Sequence, residues 1–135
     1  MEKISGPLLD RIDLHVSVPS VEYEAMRRAE EPEPSAAVKA RVDAARAIQA
    51  RRLAGSGQSC NAQIAPAQMG RFCRLDAAGE ALMRSAFQRM GLTARSHDRI
   101  LRVARTIADL DGEADIGAAH LAEAIQYRDT DILKG

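Results

Sequence analysis

Four arginines, Arg95, Arg99, Arg102 and Arg105, recur three or four residues apart in TARSHDRILRVARTIADLDG, residues 93–112. On a helix turning about 100° per residue they share one half with Thr106 and Asp109. Ile100, Val103, Ala104, Ile107, Ala108 and Leu110 take the other half, with Leu101 at its margin. Guanidinium is the side-chain group suited to bidentate contact with phosphate or carboxylate, and the stretch contains no Lys to dilute that choice. The chemistry it could do is therefore the binding of an anion. A fifth arginine, Arg11 in LLDRID, stands just before a run of alternating residues, where a loop would present it at a domain edge.

Other chemistries find no support. The chain has no G-x-x-x-x-G-K-[ST] loop to cradle phosphates. Its three histidines, His15, His97 and His120, are scattered and form neither a metal-binding pair nor a nucleophile–base set, so they are read as packing or surface groups. Cys60 and Cys73 lack a CxxC partner, and the expectation is two reduced thiols and no metal site. Nineteen basic against nineteen acidic residues argue against a free-standing nucleic-acid binder. Two Phe, two Tyr and no Trp leave no platform for base stacking. No run reaches membrane-spanning length, and with no signal peptide opening the chain a reducing cytoplasm is the expected compartment. Alone, the chain does not read as a complete enzyme.

The elements that must position these arginines divide the 135 residues into four stretches. In residues 1–19, Ile12, Leu14, Val16 and Val18 alternate with Asp13, His15 and Ser17, the period of a strand with one buried face. No second strand candidate follows, and a lone strand cannot satisfy its backbone, so this piece reads as the end of a larger domain. Residues 20–34, with Glu22, Glu24, Glu30, Glu31 and Glu33 and two prolines, read as a flexible acidic linker. Residues 35–130 read as a helical domain of about four helices, followed by a tail at 131–135.

Within that domain Ser35 is the expected cap of a first helix, with Val38, Val42, Ala45 and Ile48 inward. Lys39, Arg41, Arg46, Arg51 and Arg52 decorate it as a solvated face. A short helix is expected over residues 66–72. Asp76 caps the next helix, whose stripe is Leu75, Ala78, Leu82, Ala86 and Met90 and whose stop is Gly91. Thr93 caps the arginine helix, Asp111-Gly112 closes it, and a last helix over 116–127 turns Leu121, Ala124 and Ile125 inward. The fold class is all-α, a small bundle with short loops.

Taken together, ISGPLLDRIDLHVSVP, a linker, a basic helix, TARSHDRILRVARTIADLDG and HLAEAIQYR closely resemble the C-terminal end of magnesium-chelatase-like AAA+ ATPases. The nearest group is the bacterial competence-associated ComM/YifB proteins. The resemblance runs from Ile4 to Arg128 and implies a lid domain. It implies that Arg11, in the place of the LLDRF-like arginine, is an arginine finger reaching the γ-phosphate held by a neighbouring subunit. It implies that Arg95, in Thr93-Ala94-Arg95, is the sensor-2 arginine. ATP and Mg would be bound by the AAA+ core domain that the chain lacks, in a ring, expected to be hexameric, that acts on DNA. The isolated chain is expected to be a monomer without activity. Arg99 and Arg102 are assigned to ion pairs, such as Asp98–Arg102, and Arg105 to solvent. His97 and Asp98 depart from the Tyr-His that family members tend to carry. Two other classes compete: a small helical DNA-binding module using the arginine face, and a protein–protein adaptor without a nucleotide role.

Overall fold

Local capping chemistry sets most of the helix boundaries. The computed structural model describes residues 12–16 and 33–128. It contains α1 (Ser35–Arg52), α2 (Met69–Phe72), α3 (Ala77–Met90), α4 (Ala94–Leu110) and α5 (Ala118–Gln126), with 3-10 turns at Asn61–Gln63 and Pro66–Gln68 between α1 and α2. Among the described residues there is no strand, only an isolated parallel bridge between Leu75 and Ile116. The all-α expectation holds, as does the short helical stretch beginning at Pro66.

At α3 the Asp76 carboxylate accepts from the Gly79 N–H at 2.7 Å. Gly91 ends the helix with φ +63°, a left-handed conformation that side chains with a Cβ avoid. Two residues later Thr93 Oγ1 accepts from the Ser96 N–H at 3.1 Å and starts α4. Gly117 opens α5, and its N–H donates to His120 Nδ1 at 2.9 Å. With Nδ1 accepting, Nε2 carries the ring proton and donates to Asp111 at 2.9 Å. His120 thus ties the α4–α5 connection to the start of α5.

The central element is α4, which meets α1, α2, α5 and the Asn61–Gln63 turn. Ile100, Ala104 and Ala108 are fully enclosed, and the small alanines let neighbouring helices approach closely. Leu121, Ala124 and Ile125 of α5 pack there as expected, joined by Leu53, Ile64 and Met83 from earlier in the chain. No described helix is long and apolar enough to cross a membrane.

Several expectations are corrected. Pro34, not Ser35, is the cap residue of α1, and Ser35 is its first helical residue, with no side-chain cap bond. Val38 and Val42 are exposed, because α1 overhangs the bundle and only Ala45 and Gln49 of it are buried. On α3 Ala86 is buried as expected, but Gly79 and Met83 are buried with it, while Ala78 is exposed. Leu110 is exposed and Leu101 buried, a rotation of the apolar sector of α4 toward α1 and the 61–63 turn. The alternating segment is turned over: Ile12, Leu14 and Val16 are exposed and His15 is buried. No strand pairs with it among the described residues, so nothing covers its apolar side. Its seat comes instead from the His15 N–H donating to the Tyr127 carbonyl at 2.5 Å and the Arg128 guanidinium donating to the Ile12 carbonyl.

Both cysteines are free, Cys73 in the core and Cys60 partly exposed. Burial pushes the Cys73 thiol from an ordinary 9 up to about 11, against the opposing pull of Arg105, Arg52 and Arg102. The folded state therefore favours the neutral thiol. That preference contributes fully below pH 9 and is lost as pH rises toward 11, an effect of up to about 2–3 kcal/mol. We expect iodoacetamide to alkylate Cys60 first at neutral pH, and Cys73→Ala to flatten the fall in unfolding free energy between about pH 9 and pH 11. Equal labelling rates in the native protein would contradict this placement.

Candidate functional site at the arginine helix

The four arginines of α4 begin as equals on one half of a helix, and the structure separates them. Arg105 is the most enclosed. It is 4 % exposed, its Nη1 donates to the Ala114 carbonyl at 3.0 Å, and its Nη2 donates to that of Glu113 at 2.9 Å. One turn on, the Asp109 carboxylate lies 3.3 Å from Arg105 Nη2 and has no exposed side-chain surface. Burial holds the Arg105 pKa below its ordinary value, with Asp109 opposing the shift. The expectation that Arg105 faces solvent is thus overturned: a guanidinium can lie inside when a carboxylate and carbonyls accept its hydrogen bonds.

Asp109 is the hub of this arrangement. Arg52, at the end of α1, donates to both its oxygens at 2.9 and 2.5 Å. Asn61 Nδ2 donates to Asp109 Oδ2 at 2.8 Å and to Thr106 Oγ1 at 3.1 Å, and Asn61 Oδ1 accepts from Arg52 at 3.1 Å. The backbone N–H of Asn61 donates to Gln49 Oε1 at 2.9 Å. One carboxylate therefore fastens α1, the 61–63 turn, α4 and, through Arg105, the α4–α5 connection. The polar half of the arginine helix hid this cluster. The i,i+4 spacing of Arg105 and Asp109 is the one local sign of it.

Arg102 Nε donates to the Ile64 carbonyl at 2.9 Å, and Asp98 pairs with His97 at 3.2 Å, so the Asp98–Arg102 pair is replaced on both sides. Arg99 does form an ion pair, with Asp13 of the 12–16 segment. His97 also meets the exposed ring of Phe87 edge-on, with ring centroids 6.5 Å apart.

Arg95 differs from all three. It lies in the first turn of α4, is exposed, and makes no side-chain hydrogen bond or ion pair among the described residues. Beside it the helix start presents backbone N–H groups that no carbonyl of the helix can reach, where the peptide dipoles favour negative charge. An anion arriving here would meet a guanidinium that need not give up another partner. Arg11 lies outside the described residues. Among the described residues no three His, Cys, Asp or Glu side chains converge to hold a metal.

Comparison with known proteins finds two family matches along the chain. Residues 32–128 match the family described as "Magnesium chelatase, subunit ChlI C-terminal". Residues 1–26 match a second family, "Magnesium chelatase, subunit ChlI". The "Competence protein ComM" of Haemophilus influenzae is 39% identical over 129 residues, 95% of this chain and 25% of that protein. The "Uncharacterized protein YifB" of Escherichia coli is 37% identical over 134 residues, 98% of this chain and 26% of its own length. An uncharacterized protein of Mycobacterium tuberculosis is 37% identical over 128 residues, 95% of this chain and 25% of its length. The chain thus spans about a quarter of the length of the curated relatives it matches.

Proposed function

The chain belongs to the magnesium chelatase subunit ChlI C-terminal family, and from that premise we propose that it is the helical lid of a longer AAA+ ATPase in which Arg95 contacts the γ-phosphate of bound ATP. The observation that carries this reading is the division of labour on α4. Arg99, Arg102 and Arg105 hold the domain together, while Arg95 stays uncommitted at a helix start. An exposed guanidinium at a helix N-terminus suits a phosphate anion.

The nucleotide and its Mg would be held by the core domain of the longer protein and would supply the phosphoryl group and its charge neutralisation. On this side Arg95 would stabilise charge building on the γ-phosphate oxygens, while the Asp109 hub keeps α4 rigid enough to aim it. Arg11 would act on the nucleotide of the adjoining subunit in a ring, the hexamer being the expected form. Working on DNA during competence or recombination belongs to this proposal at the level of the whole ATPase, in a cytoplasmic setting. The rival DNA-binding module would need the α4 arginines free, and Arg99, Arg102 and Arg105 have protein partners. The reading is tested by replacing Arg95 with Ala in the longer protein and measuring hydrolysis at saturating ATP.

A further inference from the structure

Residues 12–15 are fastened to the helical domain by successive anchors, each with a different partner. The Ile12 carbonyl accepts from the Arg128 guanidinium, just beyond α5. The Asp13 carboxylate pairs with Arg99 of α4. The His15 N–H donates at 2.5 Å to the carbonyl of Tyr127, the residue that ends α5 and whose carbonyl the helix itself leaves unused. Between these anchors Leu14 lines the groove between α4 and α5.

The two ends of this clip lie next to the two arginines that matter most. Ile12 directly follows Arg11, and Arg99 stands one helical turn, about 6 Å, from Arg95. The partners of Arg102 and Arg105 all lie inside the helical domain, whereas Arg99 reaches out of it to the segment that follows Arg11. Among the described residues Asp13 is the one side-chain partner of Arg99, whose Nε is enclosed and makes no hydrogen bond. With the Asp13 side chain 54 % and the Arg99 side chain 23 % exposed, the pair is too well solvated to add much to stability. Its consequence is geometric.

We infer that Arg99 is a positioning residue that, through Asp13, fixes the segment following Arg11 to the helix that begins with Arg95. On the lid reading, on which this rests, Arg95 meets the γ-phosphate of its own subunit and Arg11 that of the next. With the clip closed the two arginines of one chain form a unit. A shift of α4 toward bound nucleotide is then passed to the arginine aimed at the neighbouring site. Arg99 itself touches no nucleotide. Its loss leaves Arg11 present but less well aimed, and a misplacement of about 1 Å at a reacting centre costs up to about 10²-fold in rate.

Arg99→Gln and Asp13→Asn, each placed in the longer protein, are expected to lower kcat for ATP hydrolysis about 10- to 100-fold, with KM and melting nearly unchanged. Because both act through one bond, the double variant should be no slower than either single one. Arg99→Lys keeps the charge and should recover much of the rate. Mixed assemblies show which arginine is positioned. On the lid reading, subunits that cannot bind ATP but carry Arg11 restore hydrolysis to Arg11→Ala subunits. Adding Arg99→Gln to the former should cut that rescue at least about tenfold. An undiminished rescue would overturn the inference, placing any loss at Arg95 of the same subunit. So would losses that add in the double variant, or a kcat untouched by Arg99→Gln while Arg11→Ala and Arg95→Ala remain slow; the lid reading would then stand without the clip. Normal hydrolysis by Arg11→Ala and Arg95→Ala would remove the lid reading itself, and the inference with it.

Discussion

Replacing Asp109 with Ala is expected to destabilise the domain by about 3–5 kcal/mol, lowering its melting temperature by roughly 10–20 °C. The size follows from what is left behind. The Asp109 side chain has no exposed surface, and it meets Arg105 at 5 % and Arg52 at 15 % side-chain exposure. Without the carboxylate two guanidiniums face each other in a space with little water, and Asn61 loses an acceptor. Asp109→Asn keeps the shape and removes the charge, so it should recover only part of the loss. Replacing Arg52, Asp109 and Arg105 together with apolar residues of similar volume should cost less than removing Asp109 alone, since no buried charge is then orphaned. Urea unfolding of the three variants checks this order. A cost below about 1 kcal/mol for Asp109→Ala would mean the cluster is far wetter than its burial indicates.

On the proposed lid reading, Arg11→Ala placed in the longer protein is expected to reduce ATP hydrolysis by about 10³–10⁵-fold while leaving ATP affinity nearly unchanged. A guanidinium delivered in trans touches the γ-phosphate mainly as charge develops there, so its loss is felt in the rate and not in binding. The trans arrangement has its own signature. Mixing Arg11→Ala subunits with subunits unable to bind ATP but carrying Arg11 should restore part of the activity. Rates that never exceed the sum of the separate proteins would place the residue in a purely structural role.

Local chemistry made much of the fold readable in advance, and long-range chemistry hid the rest. Asp76, Gly91 and Thr93 act on backbone groups within a few residues, so their caps follow from sequence alone. The inward positions of Leu121, Ala124 and Ile125 follow from helical period. Periodicity marks a face but cannot say how far the neighbour extends, which is why Val38 and Val42 were expected inside and are exposed. The segment around His15 turned over because a strand's buried face is decided by the strand it pairs with. Arg105 is held by Asp109 one turn on and by the Glu113 and Ala114 carbonyls, all near in sequence, but its burial was hidden because Arg52 and Asn61, which enclose the cluster, reach Asp109 from 57 and 48 residues away. At the candidate site, the resemblance of Thr93-Ala94-Arg95 to a family motif singled Arg95 out, and only its place after a helix cap was legible in the sequence itself. That it is the arginine left uncommitted was not, since this depends on Asp13 and the Ile64 carbonyl engaging its neighbours.

The most direct measurement is ATP hydrolysis by the longer protein carrying Arg95→Ala, at saturating ATP, alongside the unaltered protein and Arg89→Ala, an exposed arginine of α3. Because Arg95 holds no other part of the described domain, its loss should leave melting unchanged. The lid account predicts a fall of about 10²–10³-fold in kcat for Arg95→Ala, with Arg89→Ala unaffected. A kcat for Arg95→Ala equal to that of the unaltered protein would contradict it.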